Sequence, residues 1–104
     1  MVDLKYNLKM GFRRDYDPNN RIVRQDNIFF GKDKYFVSIV DLGIDMSMGI
    51  GKPLYYETMI FKNDDMHGIY QRRFNNRHEA LNNHYYIIHN FSSYFIKEFC
   101  SNGY

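Results

Sequence analysis

A chain of 104 residues has room for one domain, and its formal charge of +2 is the small difference between 14 Lys+Arg and 12 Asp+Glu. That near-balance excludes both the clustered basic excess of a dedicated nucleic-acid binder and the acidic surface of a nucleic-acid mimic. Ten Tyr and nine Phe, with no Trp and Ala80 as the one alanine, make the core aromatic and place several Tyr at its edge, where their hydroxyls find partners.

A domain of this size hides roughly two-thirds of its unfolded surface, enough to fold without a metal or a disulfide. The single Cys100 leaves no intramolecular disulfide. No apolar run approaches the roughly 20 residues that span a bilayer. The N-terminal M-V-D-L-K-Y-N-L-K alternates instead of presenting a signal peptide's apolar stretch. A cytoplasmic protein with no membrane partner is the expectation.

In chain order, Val2, Leu4, Tyr6, Leu8 and Met10 alternate with polar residues, a period of two that predicts a half-buried first strand. Gly11–Asn20 is a loop, with Asp17-Pro18 and two asparagines as turn residues. Arg21–Phe30 reads as a second strand, charged in its first half. Gly31-Lys32-Asp33 turns into a third strand, Lys34–Leu42, which is apolar on both faces as a central strand would be. After a glycine-bearing loop, Gly43–Pro53, a fourth strand runs from Leu54 to Phe61. A polar turn, Lys62–Gly68, leads to a short fifth strand, Ile69–Phe74, whose arginines suit an edge. Asn76 with Glu79 three residues on resembles a capping box. From there Ala80, Leu81, His84, Ile87, Ile88, Phe91, Phe95 and Phe99 follow helical spacing, predicting one C-terminal helix over 76–99 with a weak point at Ser92-Ser93. The expected fold is α+β, a single domain over 1–104: a largely antiparallel sheet of four to five strands with the helix packed on one face.

Gly49-Ile50-Gly51-Lys52 invites a phosphate-loop reading, but the spacing G-x-x-x-x-G-K-[ST] fails. Its first glycine would fall on Met46 and its Ser/Thr on Pro53. The glycines serve backbone geometry, although a looser nest of anion-binding N–H groups stays open. His78, His84 and His89 are six and five residues apart, so no two chelate one ion from the same helix. Neither a metal nor a cofactor is expected.

His84 is the ionisable residue in the first half of the apolar stripe. It is read as a core-edge imidazole held by one hydrogen bond. A sharper reading pairs it with Glu57, provided that the helix covers the face carrying Tyr55, Glu57 and Met59. Asp41 and Asp45, where the third strand ends, suit turn capping better than catalysis. The pairs Arg13-Arg14 and Arg72-Arg73, beside Phe12, Tyr16, Tyr70 and Phe74, have the cation-plus-ring pattern of single-strand binding.

Y-F-V-S-I-V-D-L-G-I-D at 35–45, G-x-G-x-P-L-Y-Y-E-T-M-I-F at 49–61 and H-E-A-L-N-N-H at 78–84 together resemble a family of small uncharacterised phage and prophage proteins. That family's pattern runs V-S-x-V-x-L-G-x-D, E-T-M-x-F, E-A-x-x-x-H. The resemblance spans about residues 35–90 and leaves 1–33 outside it. Asp45, Glu57 and His84 match its polar positions. Met46 stands where the pattern has a histidine, and Asn83 where it has a glycine. What the resemblance implies is a phage-encoded accessory protein. With small size, many aromatics and no catalytic motif, the leading expectation is a protein that binds and inhibits a host bacterial protein, as anti-CRISPR proteins do. Arg13, Arg14, Tyr16, Arg72 and Arg73 are the candidate binding residues, since Tyr and Arg anchor interfaces. The alternatives are a ligand-binding protein or enzyme using Asp45, Glu57 and His84, and a modest nucleic-acid binder using the arginine–aromatic pairs.

Overall fold

The computed structural model describes residues 12–95, and the expected first strand, Val2–Met10, lies outside them, as does Cys100. The alternating stretches that follow become β1 (Ile22–Phe30), β2 (Asp33–Asp41), β3 (Tyr56–Lys62) and β4 (Gly68–Phe74). They form an antiparallel meander in the order β1-β2-β3-β4. The fold is α+β, with the C-terminal helix packed on one face of the sheet.

Local chemistry sets the connections. Gly31 opens a two-residue hairpin between β1 and β2 at φ 63°, a left-handed conformation that glycine adopts without strain. Between β3 and β4 the left-handed position falls on Asn63, φ 53°, one of the residues that tolerate it. Its N–H donates to the Lys34 carbonyl, and its side-chain oxygen accepts the Lys34 N–H at 3.0 Å. The β3–β4 hairpin is thereby stitched to β2. The registers of β1 and β4 slip by one residue, at Val23 and at Ile69.

Helix α1 (Arg77–His89) starts where Asn76 predicts, its side-chain oxygen accepting the Glu79 N–H at 2.9 Å. The single helix expected over 76–99 is interrupted at Asn90, not at Ser92-Ser93. The backbone and side-chain amides of Asn90 both donate to the Tyr86 carbonyl, closing α1 before α2 (Phe91–Phe95) begins. A local bond of this kind competes with continued helix.

Ala80, His84, Ile87 and Phe91 face the sheet. Below them lie Tyr35, Val37 and Ile39 of β2 and Thr58 and Ile60 of β3, all buried. Phe91 closes the core at one end, its ring centroid 4.9 Å from that of Tyr35 and 5.7 Å from that of Phe30. Phe74, Ala80 and Ile39 form a second apolar group with Val23, Tyr56 and Leu81 against it. The opposite face carries Gln25, Asn27 and Phe29 of β1, Phe36 and Ser38 of β2, and Glu57, Met59 and Phe61 of β3. Among the described residues no helix covers that face.

Candidate functional site

The helix covers the face of β3 that carries Tyr56, Thr58 and Ile60, so Glu57 points the other way and the expected His84–Glu57 pair does not form. Glu57 instead accepts from Arg73 at 3.0 Å and from Gln71, both on β4 and on the open face. His84, with no exposed surface, places Nε2 at 2.8 Å from Asp26 of β1. Its Nδ1 is buried with no hydrogen-bond partner among the described residues. The neutral ring therefore donates its proton from Nε2 to the carboxylate. Burial pushes the His84 pKa down, and the Asp26 carboxylate opposes that only in part.

Asp26 is held low by Arg24, two residues away on the same strand face at 2.8 Å, with a further contribution from His84. The Arg24 guanidinium also sits over the Tyr85 ring, 5.3 Å from its centroid. Arg24, Asp26, His84 and Tyr85 thus clasp β1 to α1. Asp26 carried a signal that periodicity offers: it lies in phase with Ile28 and Phe30, on the buried face of its strand.

Asp45 is a cap. Its Oδ1 accepts the N–H of Ser47 at 2.8 Å and of Leu54 at 2.9 Å, which keeps its pKa below the ordinary carboxylate value. Asp41 does similar work, accepting the Gly43 N–H at 2.9 Å and the Arg13 guanidinium through both oxygens. Asp45, Glu57 and His84 therefore sit in a loop, on the open face and beneath the helix respectively, each committed to a different set of hydrogen bonds.

The arginine pairs are split by the fold. Arg13 is half-buried, ion-paired to Asp15 as well as Asp41 and stacked near Tyr55 and Tyr56 at 5.2 and 5.4 Å, while Arg14 is exposed. Tyr16 is half-buried, its ring stacked on Phe12 at 5.3 Å and pressed against Gly43. Arg73 is held by Glu57, and Arg72, one residue before it, lies on the other face over the Phe74 ring at 5.1 Å. Neither pair makes one continuous cationic patch.

The open face supplies what these residues do not. Phe36 and Phe61 are cross-strand neighbours with ring centroids 6.3 Å apart, and they floor a cleft of about 460 Å³. Lys34 lines one side, and Asp64, Asp65 and Met66 of the β3–β4 turn line another. Met66 is 87 % exposed, and Phe29, opposite Lys34 in the β1–β2 register, is 76 % exposed. Asp64 lies 3.7 Å from Lys34 with its side chain almost wholly in solvent. The apolar character of Phe36, Met59 and Phe61 was visible in the sequence, where it marks β2 and β3 as central; it equally marks a second apolar face.

At the other end of the sheet the β2–β3 connection displays Met48 and Ile50, 87 % and 80 % exposed. Gly49 and Gly51 take φ of 78° and 73°, and Met48 takes 60°. The Ile50 N–H donates to the Ser47 carbonyl at 3.1 Å and the Gly49 N–H to the Ser47 hydroxyl at 3.3 Å. A left-handed non-glycine residue costs about 1–2 kcal/mol. Met48→Gly is therefore expected to hold or raise the melting temperature, while the β-branched Met48→Val lowers stability by about 1 kcal/mol. Equal losses in both variants, measured by thermal unfolding, would show that the backbone is unstrained.

Among the described residues no three or more His, Cys, Asp or Glu side chains gather in a way that could hold a metal ion, and no helix is long and apolar enough to cross a membrane. Comparison with protein-family models, with curated proteins and with solved structures finds no match for the chain.

Proposed function

We propose that the protein is a binding module that seats another protein on its open sheet face and acts by occupying that protein, not by turning over a substrate. One observation carries the reading: Phe36, Phe61 and Met66 line a cleft on a sheet face that no described helix covers, and Phe29 stands exposed on the same face, opposite Lys34 in the register. Apolar patches rimmed by polar residues mark interaction sites, and large side chains at their centre carry most of the binding energy. Taken with the resemblance to small phage proteins, the bound protein is a host bacterial one in the cytoplasm. The consequence is its inhibition, in the manner of an anti-defence protein.

The test is a pull-down from bacterial lysate with the tagged protein, a Phe29→Asp/Met66→Asp double variant and an Arg14→Glu control. The wild type and the control are expected to recover one stoichiometric protein that the double variant loses. Recovery of none, or equal recovery by all three, overturns the reading. The cleft volume also supports a second reading, since about 460 Å³ falls within the range of small-molecule sites. Its ligand would be an apolar ring lying on Phe36 and Phe61, with Lys34 at its edge.

A further inference from the structure

We propose that the Ser47–Pro53 loop of one copy docks into the open-face cleft of a second copy, so that the protein associates with itself head to tail. The inference rests on the cleft being a protein-binding site, as in the function proposed above, and adds a ligand for it: the chain itself.

The loop has the form of a knob. Asp45 and Ser47 spend their hydrogen bonds on its backbone, Ser47 is buried, and Met48 and Ile50 project into solvent. Two glycines and a methionine in left-handed conformations hold that projection. Lys52 follows, exposed and in no ion pair among the described residues.

The cleft has the complementary form. Its floor is the Phe36–Phe61 pair, with Met66 at the rim for the apolar side chains. Asp64, with a side chain 98 % exposed and only a 3.7 Å contact to Lys34, stands at the same rim for Lys52, beside Asp65, whose Oδ1 is bonded to His67. Charge of opposite sign at the edge of an apolar contact fixes its register and speeds encounter.

Topology makes the contact intermolecular. The loop leaves the end of β2 at Asp41, and the cleft lies where β2 begins, beside Lys34. Seven residue steps at about 3.3 Å each put roughly 23 Å of strand between Asp41 and Lys34, and the Asp45 bonds to Ser47 and Leu54 hold the loop at its own end, away from its own cleft. Docked head to tail, with one loop and one cleft engaged per pair, the contact is heterologous. It leaves one free loop and one free cleft on every dimer, and repetition gives rings or open chains. A docked copy covers the cleft assigned to the foreign protein, so self-association and capture compete.

Sedimentation velocity of the purified full chain across a concentration series tests this. The wild type is expected to grow beyond a monomer as concentration rises. Ile50→Asp spoils the knob and Met66→Asp the hole, each at an exposed position with no packing to lose. Each variant alone is expected to stay monomeric. Their equimolar mixture is expected to form a dimer and stop there, since it holds one good loop and one good cleft per pair. Lys52→Glu weakens association about tenfold, and adding Asp64→Lys to the same chain restores it. A wild type that stays monomeric, a variant that associates like the wild type, or a mixture that forms no dimer overturns the proposal. A monomeric wild type leaves the pull-down reading standing, because that experiment needs no self-association.

Discussion

His84→Ala is expected to destabilise the protein by about 3 kcal/mol and to lower Tm by roughly 15 °C, before any effect on binding. The imidazole is fully buried beneath the helix with Asp26 of β1 as its partner, so its removal leaves a cavity and leaves Asp26 with Arg24 alone. His84→Leu fills the same space without the unpartnered Nδ1 and should lose about half as much. The pH dependence separates the two roles. Burial lowers the His84 pKa below its ordinary value of 6.5, so the unfolded chain takes up the proton first as pH falls. The stability that neutral His84 contributes is complete above about pH 6.5 and declines as pH drops towards the folded-state pKa. Asp26, also held low, adds a separate loss only as pH falls below its ordinary value of 3.8. His84→Leu should abolish the first decline and keep the second. A His84→Ala protein that melts like the wild type yet fails to bind would assign His84 to the binding surface instead.

Gly43→Ala is the second large effect, again about 3 kcal/mol by urea or thermal unfolding. Gly43 has φ 75°, where a Cβ is strained, and that Cβ would stand 2.5 Å from the Tyr16 ring. The contact matters because this corner ties the residues before β1 to the end of β2. The Arg13 N–H donates to the Gly43 carbonyl, Phe12 bridges to Ile44, and Asp41 holds both Arg13 and the Gly43 N–H. Tyr16→Ala removes the obstructing ring, so the double variant should lose at least 1 kcal/mol less than the sum of the two single losses. Strict additivity would mean that the clash is relieved elsewhere and that backbone strain alone sets the cost.

Much of the fold was legible along the chain because its signals are local. The apolar end of β1, the Gly31 turn, the apolar residues on both faces of β2 and the Asn76 cap each depend on residues a few positions apart, and each lies within two residues of its expected place. The helix end was less legible. Ser92-Ser93 carries the weaker helix formers, but the bonds of Asn90 back to Tyr86 close the turn earlier.

The candidate site was less accessible to the same reasoning. The helical period puts His84 in the apolar stripe and the imidazole makes one hydrogen bond, but it is fully buried, not at the core's edge, and its Nδ1 has no partner among the described residues. Its acceptor was not Glu57 but Asp26, 58 residues away in the chain. Both faces of β3 are apolar enough to be covered, Tyr56, Thr58 and Ile60 on one and Met59 and Phe61 on the other. Nothing within β3 chooses between them. Arg72 and Arg73 fail as a patch for a related reason, since adjacent residues on a strand point to opposite faces, whereas Arg13, in the loop before β1, is drawn away from Arg14 by Asp15 and Asp41.

Composition and periodicity were thus enough to specify a small aromatic α+β domain, its strand order in outline and the buried place of His84. Long-range registry settled the rest: which face the helix covers, which carboxylate meets His84, and that Phe36, Phe61 and Met66 line one open cleft. A period of two tells which residues share a face of one strand. Which faces then meet is set by the packing of several elements at once, and no single stretch of chain encodes it.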